Sequence, residues 1–556
     1  MKFPIVVAVA ALSLCTASAA ERPKVILHGH DTIALSPKVI LQNADLLDEL
    51  PIDGVFIRML ASSKGKKFCF LSIMRDPAWE FEAFSNTVAA CREIVKHRSL
   101  RHSFAHAWML DWEWRRKDRT DWRDDETWER CAHNFGVLAR IVRESGLEGV
   151  MFDIEDYGGT RQFFLQDEDG DYDEVCKIAR RRGREVFGRM FKEKPDLRVM
   201  FVWFMTWWEH HKADDPVLAA RKKKDLWPSF MNGLLDVMPE DARVIDGNES
   251  SYYYRGAESD DYFRAVSDIR NLVLPLVAPE NRVAYRGKLL VGEAQFVDAY
   301  ASRDPNYEYY IPPKRGGTKL DRFYENFRQV LQASEGYVWL YGERHPYVHW
   351  RGTDDKRCKG STWEEELPGL YGVMWALRDP GRYGAKCYLK WAGEGRVPEN
   401  RIRIGACALD AQDVGRGFLA NKLASGFSTW KRNKTVGVFG TDTSLGRGDT
   451  FSLCLDAVER GCVFCGVDAK QFEHYVVRVC AKGESPEVCI GFNSGGSQMS
   501  AAFDVKVKFS NPLPDGWREG YAYVILPEGA DRLCVYMQGA KDEKIWYDDI
   551  GVFPAK

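Results

Sequence analysis

The chain has 556 residues, 45% of them hydrophobic and 29% charged, and carries a formal net charge of −3 at pH 7. That length exceeds one ordinary core and calls for two domains, while the composition is that of a soluble globular protein. A slightly acidic balance argues against a nucleic-acid partner, because neutralising phosphates takes a basic excess.

Met-Lys-Phe-Pro, an apolar run Ile5–Leu14 and Thr-Ala-Ser-Ala-Ala before Glu21 form the pattern of a secretory signal peptide over residues 1–20. The run is too short to span a membrane, and no later stretch is long enough, so the expectation is a secreted or periplasmic protein without a transmembrane segment. Of 14 cysteines, Cys15 falls in the leader, which leaves 13 scattered without zinc-like spacing. Many sit in apolar contexts where a free thiol is the default; disulfide connectivity is not legible.

From Lys24 to about Pro380, strand-like runs alternate with helical patterns. The strands are expected at Val25–His30, Gly54–Met59, Ser103–Leu110, Gly149–Glu155, Arg198–Met205, Arg243–Gly247, Leu289–Gln295 and Tyr337–Glu343. Helices are expected between them, at Pro37–Leu50, Phe81–His97, Thr127–Ser145, Tyr172–Lys194, Asp225–Val237, Asp260–Leu272 and Leu320–Ala333, with Thr362–Leu377 closing the set. Phe68–Ile73 is an extra strand candidate. Eight such units predict an α/β fold of the (β/α)8 TIM-barrel type over residues 21–395. From about Ile402 short alternating strands with Gly/Asn/Asp turns take over, and residues 400–556 are expected to form an all-β sandwich. The loops Trp112–Trp128, Ser250–Ser259 and Tyr300–Gly317 are long and aromatic, and the chain has 18 tryptophans. Long connections and aromatic rings at strand ends suit the apolar faces of sugars.

Strand four carries the chemistry. In Gly149-Val-Met-Phe-Asp-Ile-Glu-Asp-Tyr-Gly158, Val150, Phe152 and Ile154 share one face, and Met151, Asp153 and Glu155 the other. An apolar outer face and an acidic inner one fit a barrel strand whose C-terminal end faces the active site. Neighbouring carboxylates push each other's pKa values apart, as glycosidic hydrolysis by acid and base requires.

Gly146-Leu-Glu-Gly-Val-Met-Phe-Asp-Ile-Glu155 resembles the strand-four motif of family 18 glycoside hydrolases. The resemblance implies Glu155 as proton donor and Asp153 as the carboxylate orienting the substrate; Glu148 and Met151 depart from the pattern. The chain is also similar to the retaining barrel glycosidases with glutamates ending strands four and seven. That likeness implies Glu155 with Glu293, the latter in Leu290-Val-Gly-Glu-Ala-Gln-Phe296, and Ile154 departs from the Asn usual there. A third option, as in some α-glycosidase barrels, makes Asp153 the nucleophile and Asp246 or Glu249 the acid. Trp339, Tyr341 and Glu343 alternate inward on strand eight, where an aromatic residue commonly lines the sugar subsite in both families. His474–Gly483, Gly516–Tyr523 and Ile545–Val552 resemble carbohydrate-binding modules with a galactose-binding-like sandwich. There the resemblance implies a structural calcium, with Asp548 or Asp549 as ligand.

His28 and His30 share a face after strand one and suit substrate hydrogen bonding or a satisfied core position better than a metal, since no further His except His106 is comparably placed. Arg58, inward at the end of strand two, suits a carboxylate or sulfate on the sugar or an ion pair with Asp153. No Gly-rich phosphate loop and no Gly-x-Ser-x-Gly elbow occurs. The sequence thus points to a glycoside hydrolase acting on a carbohydrate substrate with no cofactor for catalysis; the alternative is a non-catalytic glycan-binding protein on a degenerate barrel.

Overall fold

The structure is a computed structural model that describes residues 22–63, 66–69, 72–110, 119–253, 260–402, 417–433, 436–448 and 450–555. The signal-peptide segment, Trp112 and Trp114 of the third loop, and Tyr254 lie outside the described residues. Two compact units divide after Leu370.

The first unit is built on eight parallel strands: Lys24–Gly29, Gly54–Arg58, Phe104–Trp108, Gly149–Asp153, Arg198–Phe201, Arg243–Asp246, a seventh in two segments (Leu289–Val291 and Glu293–Phe296), and Tyr337–Gly342. Each pairs with the next in parallel, and the eighth pairs with the first along its whole length, Lys24 beside Tyr337 through Gly29 beside Gly342. The seventh strand breaks at Gly292; its first segment pairs with strand six and its second with strand eight. The ring is thereby closed, the TIM-type barrel the alternation of elements predicts. Strands three, four and five come together where Gly149 begins strand four; a Cβ there would stand 2.1 Å from the Arg198 carbonyl oxygen of strand five. The long helices Asp125–Ser145 and Tyr172–Glu193 start on Asp124 and Asp171, whose carboxylates accept backbone N–H groups of the first turn. Of the extra strand candidate Phe68–Ile73, Phe68 and Cys69 belong to a hairpin outside the barrel, Leu60–Ser63 paired antiparallel with Lys66–Cys69, and residues 70 and 71 lie outside the described residues.

Register separates the two faces of the barrel. Parallel neighbours in register project the same way, so His106, Met151, Met200 and Ile245 form one inward layer. Phe152 and Phe201 point outward, and Phe152 stacks on Phe135 of the helix Asp125–Ser145.

The second unit is a sandwich of antiparallel sheets. The larger runs Phe418–Ala420, Val438–Asp442, Ser452–Asp456, Lys544–Pro554, His474–Lys482, Trp517–Ile525, Lys508–Phe509, and the smaller centres on Gly461–Asp468, Arg532–Gln538 and Glu487–Ser494. Their inner faces meet in one core that includes Leu453, Val477, Val479, Val535 and Val552. The helix Pro380–Gly393 belongs to this unit, whereas the sequence reading assigns everything to residue 395 to the barrel. Gly384 lets the helix approach the sheet closely: a Cβ there would lie 2.7 Å from the Ala522 carbonyl carbon. Tyr383 packs on Tyr523, and Tyr388 on Tyr521 and Phe553.

Among the described residues no helix is long and apolar enough to cross a membrane. Eleven cysteines in that set stand as free thiols, most of them buried.

Candidate active site

The C-terminal ends of the barrel strands enclose a cavity of about 410 Å³ lined by His28, His30, Arg58, His106, Trp108, Asp153, Glu155, Tyr157, Glu249, Trp339, Tyr341, Glu343 and Arg357, with Ile33 and Val202. Asp153 is the last residue of strand four, and Glu155 follows it on the loop. The Glu155 backbone N–H donates to Asp153 Oδ1 at 3.0 Å, which ties the two carboxylates into one turn. Tyr157 donates its hydroxyl to the Glu155 carboxylate. The turn is closed by Asp156, which accepts from the backbone N–H groups of Thr160 and Arg161. Asp153 also receives a hydrogen bond from the Trp108 side chain.

Glu249 arrives from strand six. After Asp246 the chain passes Asn248 at φ 44°, a left-handed conformation Asn tolerates, and enters a short 3-10 turn, Glu249–Tyr253. Asp246, fully buried, anchors that turn by accepting from the Phe204 N–H (3.2 Å), the Thr206 hydroxyl (2.9 Å) and the Asn248 N–H (3.0 Å). Asn248 in turn donates Nδ2 to Glu293 Oε2 at 2.8 Å, and the Glu249 N–H donates to the Val202 carbonyl at 3.1 Å. The result delivers Glu249 into the lumen, with its Oε2 buried and without a hydrogen-bond partner. Glu343 follows strand eight, held by its N–H donating to Asp298 Oδ2 at 2.9 Å.

Four carboxylates, Asp153, Glu155, Glu249 and Glu343, thus share one enclosed space. Burial and the charge of Glu155 push Asp153 up to about 8. Burial raises Glu155, with the Glu343 charge adding and the Tyr157 hydroxyl opposing. Glu249 is pushed well above the ordinary carboxylate range, first by burial and then by Glu155, Asp153 and Glu343. Such a set holds shared protons near neutrality, which is what proton transfer to a leaving oxygen needs.

The wall opposite is imidazole and aromatic. His28 and His106 stand 5.2 Å apart by ring centroids, and burial first of all keeps both neutral, His106 down at about 3 with Arg58 contributing. Tyr341 hydroxyl and His30 Nε2 are 3.2 Å apart. Trp339 forms part of the floor and donates its indole N–H to the Gly247 carbonyl at 2.8 Å. Tyr252 stacks flat on Tyr341, ring centroids 5.7 Å apart and planes 3° off parallel, so it buttresses the lining from behind. Arg58 stacks over Trp108 at 5.4 Å and does not pair with Asp153. Among the described residues no group of His, Cys, Asp and Glu has the arrangement of a metal site.

Of the sequence-predicted residues, His28, Arg58, Asp153, Glu155, Glu249, Trp339, Tyr341 and Glu343 meet in this cavity. Glu293 does not. Glu293 lies in register with Val338 and Gln295 with Leu340, while Ala294 and Phe296 share the face of Trp339 and Tyr341. The alternation of Leu289, Val291, Glu293 and Gln295 holds, but that set faces the helices: Gln295 donates to Tyr262 of the helix Asp261–Asn271 and accepts from Tyr300. Tyr157 and Arg357 were absent from the sequence candidates. Tyr157 follows the acidic pair by two residues and was readable in principle; Arg357, on a turn after strand eight, carried no signal.

Asp549 lies far from this chemistry in the chain, in the sandwich strand Lys544–Pro554, where the ladder with His474–Lys482 shifts register and Asp549 takes φ 49°. Its Oδ2 accepts from Arg478 Nη1 at 3.3 Å, with Arg447 Nη1 at 3.8 Å. Asp548 accepts from the backbone N–H groups of Arg447 and Asp549. Two guanidiniums around these oxygens make an ion-pair cluster that does not suit a calcium ion.

A second cavity, of about 470 Å³, opens beside the strand-four and strand-five loops, lined by Asp156, Gly159, Arg161, Phe163, Phe164, Trp207, Trp208, His210 and Lys223 with Leu110. Trp207 and Trp208 stack at 5.0 Å, and Trp208 is 42% exposed. The loop Asp156–Tyr157 lines both cavities, Asp156 one and Tyr157 the other.

No family model matches the chain, and no curated protein matches it. Solved structures similar to parts of it include tailspike protein 4 of bacteriophage CBA120, its enzymatically active domain (13% identity, 23% of this chain and 19% of that one, TM-score 0.20). A second is Clostridium thermocellum endo-1,4-β-D-xylanase 10B, its CBM22-1–GH10 modules complexed with xylohexaose (10%, 24% and 26%, TM-score 0.20). A third is TmCBM61 in complex with β-1,4-galactotriose (13%, 28% and 99%, TM-score 0.18). The match spans 26% or less of the first two structures, and these likenesses assign no family.

Proposed function

We propose that the protein is a glycoside hydrolase whose acid and base come from the carboxylate cluster at the mouth of the barrel. The observation that carries this reading is that cluster: four carboxylates in an enclosed cavity walled by neutral histidines, Trp339 and Tyr341. Cleaving a glycosidic bond takes a proton for the departing oxygen and a negative charge opposite the anomeric carbon.

The surroundings divide those roles. Glu249 is the more deeply buried, lacks a hydrogen-bond partner at Oε2, and is pressed by three other carboxylates, so it is the group that keeps a proton near neutrality. Glu155 accepts a hydroxyl hydrogen bond from Tyr157, which favours its charged form. In this assignment Glu249 donates its proton as the C–O bond breaks, and Glu155 faces the developing positive charge. A water then supplies the hydroxyl to the anomeric carbon and returns a proton to a carboxylate. Glu155 takes the carboxylate's role in place of the acid's role expected from the strand-four motif, and Glu249 replaces Glu293 as its partner. Asp153 accepts the Glu155 N–H and the Trp108 hydrogen bond and positions Glu155. Trp207 and Trp208 offer a platform for further sugar units along the same loop.

Turnover of nitrophenyl glycosides of graded leaving-group acidity tests both function and roles. Glu249→Gln should lose about 10³-fold or more on poor leaving groups and recover on 2,4-dinitrophenyl glycosides, which need no acid; Glu155→Gln should stay inactive on both. The reverse pattern exchanges the roles. Binding of oligosaccharides without turnover by the wild type, across both anomers, would overturn the enzyme reading in favour of a glycan-binding protein.

A further inference from the structure

Apart from its carboxylates the cavity contains a second charged group that the hydrolytic reading leaves idle. Arg58 ends strand two and Arg357 sits on the turn Lys356–Cys358, and both guanidiniums line the same 410 Å³ space (about that value) as Glu155 and Glu249. Arg357 is half accounted for: its Nε and Nη2 donate to Asp355 at 2.9 and 2.7 Å. Arg58 is not. Among the described residues its sole hydrogen bond is Nη1 to the Ile33 carbonyl at 3.5 Å, at the limit of a bond, and its Nε is buried with no partner. Its plane lies over the Trp108 ring, which holds the fork in place without neutralising it.

The simplest alternative is that Arg58 serves as counter-ion to the carboxylates. The charges acting on it are otherwise: after burial, the like charge of Arg357 lowers its proton affinity and Asp355 opposes, and none of the four cavity carboxylates figures among them. Nor does Arg58 figure among the charges acting on Asp153, Glu155 or Glu249. The cavity therefore has an acidic side, where a glycosidic bond would be cut, and a cationic side with two guanidiniums and one carboxylate. Partly burying a cation beside a like charge is costly unless an anion completes the set. A planar, pre-aligned guanidinium fork matches a carboxylate or a sulfate bidentately, and Arg357, whose Nη1 makes no hydrogen bond among the described residues, lines the same space.

We infer that the sugar bound in this cavity carries an anionic substituent, a uronic carboxylate or a sulfate ester, held between Arg58 and Arg357. This rests on the hydrolase reading for the direction of the substrate, with the scissile bond toward Glu155 and Glu249 and the anion toward strand two. It deepens that reading by naming the substrate class: an acidic glycan. The neutral His28 and His106 between the two sides then contact sugar hydroxyls, since neither carries charge that would compete for the anion.

The test compares matched nitrophenyl glycosides in both anomers: glucoside against glucuronide, galactoside against galacturonide, and each neutral sugar against its 6-sulfate. The acidic member of at least one pair should be preferred by about 100-fold in kcat/KM, because a neutral analogue leaves the Arg58 fork unpaired and Arg357 with Asp355 alone. Uronides and sulfates separate the two sources of the anion. Arg58→Ala and Arg58→Lys should erode the acidic-over-neutral ratio, the alanine variant by about 30-fold or more and mainly through KM, with the lysine variant between because it keeps the charge and loses the fork. Circular dichroism and thermal unfolding establish that each variant folds. Calorimetric binding of uronic-acid and sulfated oligosaccharides to Glu249→Gln gives a readout independent of turnover. Acidic saccharides that bind but are never cleaved would sink the hydrolase reading and leave the anion site standing. Hydrolysis of neutral glycosides with no preference for acidic ones, or failure of every acidic saccharide to bind, would overturn the inference.

Discussion

Two sets of buried acids occupy the same barrel, and they live in opposite circumstances. On the helix side, Asp246, Glu293 and Asp298 are almost fully shielded from water, yet each spends its charge or lone pairs on a neighbour. Asp246 accepts three hydrogen bonds, Glu293 accepts one from Asn248 at Oε2 while its Oε1 has no partner among the described residues, and Asp298 accepts one from the Glu343 N–H with Arg344 Nε 3.3 Å away. On the lumen side, Asp153, Glu155 and Glu249 are pressed together, and Glu249 Oε2 has no hydrogen-bond partner among the described residues. The outer set fixes backbone turns: Asp246 and Glu293 hold the turn that presents Glu249, and Asp298 holds the backbone of Glu343. Burial alone therefore does not mark a catalytic acid; what does is burial that the fold leaves uncompensated on a face open to substrate.

Catalysis is the sharpest way to break this contrast. Glu155→Gln and Glu249→Gln should each cut kcat by about 10³-fold or more on unactivated substrates while the unfolding midpoint holds or rises, since the first removes a repelled charge and the second replaces a protonated acid by a neutral amide. Glu293→Gln keeps the shape and the acceptor for Asn248, and kcat should fall by less than about tenfold. Steady-state kinetics with thermal unfolding on the same preparations measures both. If Glu293→Gln is as crippled as Glu155→Gln, the outer face takes part in the chemistry and the division fails.

Stability should show the reverse ranking. Asp246→Ala strands the Phe204 and Asn248 N–H groups and the Thr206 hydroxyl in a dry setting, at a cost on the order of 3 kcal/mol. Activity should drop too, through a misplaced Glu249, whereas Glu155→Ala should cost little or no stability. Urea unfolding of the two variants decides it, and equal losses would mean that the lumen carboxylates are structural.

Much of this was legible before any coordinates. Strand four announced its inward carboxylates through strict alternation of Val150, Phe152 and Ile154 with Asp153 and Glu155, and strand eight did the same for Trp339 and Tyr341. Strand seven misled because Glu293 and Gln295 are polar on the outward face, where a polar residue in a barrel is unusual; their partners, Asn248, Tyr262 and Tyr300, come from three separate stretches that no local pattern connects. Arg357 was invisible for the same reason, a loop residue brought to the site by chain closure alone. In the sandwich, Gly461–Asp468 carries a weak local signal because Gly461, Cys462, Cys465 and Gly466 dilute its β pattern; its place between Ser428–Lys431 and Arg532–Gln538 comes from tertiary pairing. The helix Pro380–Gly393 is hidden because Asp379-Pro-Gly-Arg-Tyr-Gly384 reads locally as a turn and connector, and its close approach to the sheet rests on Gly384, one of those loop signals.

The smallest effect expected is a pH dependence of stability that separates the two acid sets. Burial holds Asp246 up at about 6, and Asp298 likewise at about 6, while Asp153 is up at about 8, all from an ordinary value of 3.8. A carboxyl whose folded pKa exceeds its unfolded one binds its proton more tightly in the native state. Its contribution to stability is complete below the unfolded value and is lost as pH rises through the folded one. Asp246 and Asp298 should therefore account for a decline between roughly pH 4 and 6, and the lumen acids, with Glu293, which burial also holds well above the carboxylate range, for a further decline continuing to roughly pH 8. The lumen part should amount to on the order of 1–3 kcal/mol, because coupled carboxylates share protons rather than each losing its own. Asp153→Asn should flatten the upper limb and leave the lower; Asp246→Asn should do the opposite. Urea unfolding at half-unit intervals from pH 4.5 to 8.5 traces both limbs. A wild-type stability that rises from pH 6 to 8, or an upper limb that survives in Asp153→Asn, would show that the lumen carboxylates are ionised together at neutral pH and hold no proton to give.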